Sequence, residues 1–157
     1  MIDETCVVSE EVLTRYGADK KTFVEQMRAR IKDTIIGLLD IQFVELSSDR
    51  VVMKMPVGPK TWQPAGILHG GASVVLAETA ASIATVINLD QEKFTGVGME
   101  INANHIRSKR DGVVTAVATP LHKGRTTMVW DIKITDEEGK LVCVSRCTMA
   151  VVPRSRA

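Results

Sequence analysis

Along residues 9–32 the apolar side chains recur every three or four positions: Val12, Leu13 and Tyr16, then Phe23, Val24, Met27 and Ile31, with charges between them. That spacing predicts helices, and Gly17 predicts a break between a short first helix and a second. From Leu38 the texture changes. Residues 41–46 and 51–57 are β-rich runs around Ser47-Ser48-Asp49-Arg50, which reads as a hairpin turn. Glycines and prolines mark residues 58–66 as a loop, and a helix-favouring run follows from Ala72 to about Leu89. Four strand-like runs close the chain, at 96–107, 113–121, 126–135 and 141–152. Turn chemistry separates them at 109–112, 122–125 and 136–139. A helix that is apolar nearly all round must be covered on most faces. Six strands in one antiparallel sheet, curled around that helix, would do so, which predicts an α+β fold with a wrapped central helix.

Composition changes this picture little. The chain has 157 residues, 45% hydrophobic and 25% charged, which fits one globular domain able to bury most of its apolar surface. A formal net charge of +1 argues against nucleic acid or an anionic membrane as the main partner, so any anion-binding surface must be local. Cys6, Cys143 and Cys147 are odd in number and lack framework spacing, so no disulfide scaffold is expected. Cys143 and Cys147 would share one face of a strand. No His/Cys cluster suggests a metal. The acidic start MIDETCVVSEEV lacks the basic, then apolar, plan of a signal peptide, which makes the cytoplasm the expected location. Residues 72–87 are low in charge but short for a membrane span and carry Glu78 at their middle.

Glu78 is the most informative position. It is the only ionisable side chain between Ala72 and Ile87. Burying an unpaired carboxylate costs several kcal/mol or raises its pKa. Such a cost points to an ion pair or to chemistry, unless Glu78 lies on a narrow polar stripe with Ser82 and Thr85. His69-Gly70-Gly71 opens the same helix. A helix start offers unpaired N–H groups and a positive dipole end, and glycines let a ligand oxygen come close. That suits the carbonyl of a thioester or the oxyanion formed from it. The helix rise places Gly71 and Glu78 roughly 10 Å apart, too far for one carbonyl. A site shared between two copies of the chain would bring them together.

The run Gln63-Pro64-Ala65-Gly66-Ile67-Leu68-His69-Gly70-Gly71-Ala72-Ser73, followed by Leu76-Ala77-Glu78-Thr79 and Ser82, resembles the hotdog-fold thioesterases. The nearest branch is that of the 1,4-dihydroxy-2-naphthoyl-CoA and glutamate-using 4-hydroxybenzoyl-CoA thioesterases. The likeness continues through Asn104-His105-Ile106-Arg107, the run 120–125, Trp130 and the run 136–140, and covers roughly residues 34–152. Residues 1–33 then read as an added helical segment on a hotdog domain of residues 34–157. The resemblance implies catalytic roles for Glu78 (nucleophile or general base), for the Gly71 N–H that polarises the carbonyl, and for His69 and Gln63 lining the pocket. It places Gly70 and Ser82 against substrate and implies a homodimer, or a dimer of dimers, with shared sites and no cofactor.

Coenzyme A phosphates need cations. Arg107, beside Lys109 and Arg110, and Arg125, beside His122 and Lys123, are the basic turns available. The expected reaction is hydrolysis of an acyl-CoA, aromatic by resemblance only. Alternatives are a substrate carried on acyl carrier protein, a hotdog hydratase, or a non-catalytic acyl-CoA-binding module.

Overall fold

A computed structural model describes residues 1–154. The N-terminal segment forms α1 (Glu10–Tyr16), α2 (Lys20–Ile31) and the short α3 (Ile35–Leu38), preceded by a two-residue strand, β1 (Val7–Val8). Ser9 and Asp19 cap the first two helices with their side-chain oxygens, and Gly17 ends α1 at φ 59°, in left-handed backbone that suits glycine. Strands β2 (Gln42–Ser47) and β3 (Arg50–Pro56) make the expected hairpin. The expected loop at 58–66 contains a short strand, β4 (Trp62–Gln63), which pairs with β5 (Ile67–Leu68) just beyond it. The long helix α4 (Gly70–Val86) follows, then β6 (Phe94–His105), β7 (Val113–Lys123), β8 (Thr127–Thr135) and β9 (Leu141–Pro153).

The main sheet has the order β1-β2-β3-β7-β8-β9-β6. Its six long strands are antiparallel, as the patterning implied, and they wrap α4 in the hotdog arrangement. The seventh strand is a correction to that expectation: β1 adds in parallel to the outer edge of β2, from a segment read as helical only. Two residues carry too little pattern to announce a strand. A further correction concerns His122 and Lys123. Both belong to β7, paired with Val129 and Met128 beyond a bulge at Pro120/His122, because a bulge carries the ladder past the turn-like residues.

Helix α4 buries Ser73, Leu76, Ala77, Ala80, Ala81, Ala84 and Thr85. Most of these are small, so the sheet comes close, and Trp130 of β8 fills the remaining space with its indole N–H donating to Thr85 Oγ1 at 2.8 Å. The N-terminal segment is not a separate layer. Ile2, Cys6, Phe23, Val24 and Ile31 lie in the same core as α4. Cys143 and Cys147 share the inward face of β9, as expected. No helix among the described residues is long and apolar enough to cross a membrane.

One electrostatic clasp holds the end of the sheet. Glu137 accepts from the Val113 N–H at 2.6 Å and pairs with Lys109 Nζ at 2.6 Å. The Lys109 contact first, then backbone N–H groups, hold its carboxyl at about 2, against an ordinary 4.5. A folded-state pKa below the unfolded one contributes stability above about 4.5 that is lost as pH falls toward 2. Glu137→Gln is therefore expected to be less stable than wild type at neutral pH, and the gap should shrink on acidification below 4.5. Denaturant midpoints measured across that range check this; a gap independent of pH would refute it.

Candidate active site

The loop before α4 is pinned by backbone bonds from His69 N–H to the Thr61 carbonyl (2.8 Å) and from Leu68 N–H to the Lys109 carbonyl (2.7 Å). His69 is thereby set in extended backbone as the cap of α4, and its ring Nδ1 accepts from the Gly71 N–H at 2.8 Å. An accepting Nδ1 carries no proton, so the ring proton sits on Nε2. Gly71 was expected to offer its amide to substrate, yet that amide is used by the cap. The Gly70 N–H finds no acceptor among the described residues and stands free at the positive end of the helix. The two glycines differ in what they make room for: a Cβ on Gly71 would lie 2.9 Å from Nδ1 of the capping His69 ring, whereas one on Gly70 would lie 2.7 Å from Nε2 of His105, the far end of an exposed side chain that can turn aside.

Two turns further along, Glu78 is half-buried and takes part in no ion pair among the described residues. The ion-pair reading of this carboxylate therefore has no partner there. Its side chain lies over Gly98 of β6, where an added Cβ would meet Oε1 at 2.7 Å. Gly98 thus makes the niche that the carboxylate occupies. Sequence reading passed over it, although a glycine inside a long strand pattern signals close approach. Glu78 and Ser82 open onto a cavity of about 420 Å³ whose far wall comes from the end of α2 and from α3. Behind them on β9, the Cys147 thiol is pushed up to about 12 by burial, then by the charges of Glu78 and Glu100, and so is no nucleophile near neutral pH.

The remaining expected residues divide. Gln63 Oε1 accepts from the Ala65 N–H at 2.7 Å, which leaves its amide NH₂ free to donate. Arg107 is exposed, at the rim of a hollow of about 180 Å³ formed with His105 and Ser73 beside the start of α4. Its neighbour Lys109 is held by Glu137 and is not a free phosphate ligand. Arg125 lies past the other end of β7, an eleven-residue strand, hence about 33 Å from the Arg107 end. One chain does not bring these arginines together. Nor does it bring Gly70 to Glu78, since eight residues of straight helix separate them by about 12 Å.

Comparison with known proteins places the chain in a family. The profile of the thioesterase superfamily matches residues 65–143, a span that includes the whole of α4. The 1,4-dihydroxy-2-naphthoyl-CoA hydrolase of Escherichia coli is 46% identical over 133 residues, 85% of this chain and 97% of that protein. The hydrolase of the same name from Listeria monocytogenes is 50% identical over 113 residues, 72% of this chain and 91% of that one. Among solved structures, a mutant thioesterase of Pseudomonas aeruginosa superposes with a TM-score of 0.80 at 48% identity, covering 83% of this chain and 94% of that one. The chain belongs to the thioesterase superfamily and is a hotdog-fold thioester hydrolase.

Proposed function

We propose that this protein hydrolyses an acyl-CoA thioester, with an aromatic acyl group, through Glu78 of one subunit and the Gly70 N–H of another. The observation that carries the reading is a half-buried carboxylate with no ion-pair partner, seated in a glycine niche and open to a cavity otherwise lined by aliphatic and hydroxyl side chains. Glu78 takes a proton from water as the hydroxyl adds to the thioester carbon, or itself attacks that carbon to give an anhydride that water then opens. In both routes the carbon–sulfur bond breaks, the acid is released, and the coenzyme A thiolate regains a proton. The free Gly70 amide and the Gln63 NH₂ stabilise the charge that develops on the carbonyl oxygen, and the His69 ring holds the helix start in shape. The donor is assigned to Gly70 rather than Gly71 because only its N–H is unoccupied.

The second subunit enters through β6. This strand ends the sheet, and Val97 and Met99 on it are 50% and 64% exposed, an unusual load of apolar surface for an open edge. Twofold antiparallel pairing of β6 with its copy would continue the sheet and run the two α4 helices in opposite directions. The partner subunit's Arg125 would then come to the end that carries Arg107, giving the coenzyme A phosphates two cations. A homodimer, or a dimer of dimers, follows, acting in the cytoplasm on a pool of CoA thioesters. The aromatic preference rests on the likeness to relatives named 1,4-dihydroxy-2-naphthoyl-CoA hydrolase. Release of free thiol from benzoyl-, naphthoyl- and alkyl-CoA, matched with the same acyl groups on acyl carrier protein, tests the reading. The expected order is aryl-CoA above alkyl-CoA above carrier-bound substrates. Equal or faster turnover of the carrier-bound forms would replace coenzyme A as the substrate handle.

A further inference from the structure

The cavity at Glu78 is closed on one side by a strap that joins the N-terminal helices to the sheet. α3 reads Ile35-Ile36-Gly37-Leu38, four apolar or small residues of which none is buried; Ile35 is 50% and Leu38 64% exposed. An apolar strap left open to water calls for something to cover it. Its position is tightly set. A Cβ on Gly37 would run into the Lys32 carbonyl oxygen, so the strap lies backbone to backbone on the end of α2. Thr34 Oγ1 donates to the Ile31 carbonyl at 2.7 Å, and the Ile41 N–H donates to the Ile36 carbonyl at 2.9 Å. Ile31, Ile35 and Ile36 therefore form a fixed aliphatic wall, facing Val75 and Ile83 of α4.

The lining decides what occupies the cavity. Among the described residues Glu78 is its only ionisable side chain, and none of them offers a cation to a phosphate there. Its volume, about 420 Å³, compares with roughly 150 Å³ for a cavity that takes benzene. A fused or extended aryl group fits, and it would cover the exposed face of Ile35.

We infer that Ile35 is a specificity-determining residue, setting the largest acyl group that can reach Glu78, so that the N-terminal segment selects substrate. This rests on the reading of Glu78 as the catalytic carboxylate of this cavity. The test compares wild type, Ile35→Ala and Ile35→Trp in two independent arms. In the first, kcat/KM is measured by thiol release from benzoyl-CoA and 4-phenylbenzoyl-CoA. Ile35→Ala should raise the ratio of bulky to small substrate about tenfold and Ile35→Trp should lower it about tenfold, the scale expected for losing or adding a few carbons in an apolar pocket. In the second, Kd is measured calorimetrically for the non-hydrolysable S-phenacyl-CoA and S-(4-phenylphenacyl)-CoA, and the ratio should move the same way. Thermal midpoints and sedimentation confirm that both variants keep the fold and assembly of wild type. Absence of thiol release by wild type would remove the hydrolytic reading alone, while the Kd ratios still judge Ile35. Unchanged ratios in folded variants, no binding of either analogue, or a change of oligomeric state without a change of ratio would overturn the assignment.

Discussion

Glu78→Gln is expected to lower thioester turnover by about a thousandfold, within the range that a positioned acid–base group contributes, and to leave the fold intact. Glutamine keeps the length and shape of the side chain over Gly98, so the cavity survives while the proton acceptor is lost. Removing the charge leaves no cation stranded among the described residues, since none pairs with Glu78. The thermal midpoint should therefore stay close to the wild-type value. Thiol-release kinetics and a melting curve on the same preparation separate the two effects. A variant that keeps more than about a tenth of wild-type turnover would show that another group activates water, given the size of the expected term.

The second large effect is expected at the proposed subunit boundary. Replacing Val97 and Met99 by lysine charges the open edge of β6, a device that keeps sheet edges from pairing. The expected product is a folded monomer with turnover close to zero, although each chain keeps its own Glu78, Gly70 and Gln63. A mixing experiment gives the positive counterpart. Gly70→Pro removes the free amide at the first helical position, where proline is tolerated, and His69 before it already has the extended backbone that proline demands. The exposed ring of His105 has room to turn away from the added carbon. Gly70→Pro and Glu78→Gln should each be nearly inactive. Exchanged together they should recover about a quarter of wild-type activity, since half of the reassorted dimers are mixed and each holds one complete site of two. Activity no greater than the sum of the two parents would place Glu78 and Gly70 in the same-chain site and end the shared-site reading.

Much of this protein was legible before any fold was known, because the relevant signals are local. The helical spacing at 9–32, the turns between the last four strands and the apolar run around Glu78 each lie within about two dozen consecutive residues, and α4 and the six long strands appeared where those periods placed them. The pairing of a glycine-rich helix start with one acid inside a greasy helix was equally readable, and the roughly 10 Å that helix rise sets between Gly71 and Glu78 is what raised the expectation of a second copy. Tertiary structure decided what periodicity cannot carry. Whether Gly70 or Gly71 keeps a free amide depends on where the His69 ring turns. That Glu78 rests on Gly98, that Glu137 claims Lys109, and that Ile35 and Glu78 line one cavity are juxtapositions of residues 20 to 43 apart in the chain, set by how strands and helices pack. The two-residue strand β1 holds to the sheet by position rather than by pattern. Local period chooses the elements; only their packing chooses which side chains meet, since a contact across the core leaves no repeat in the sequence to be read.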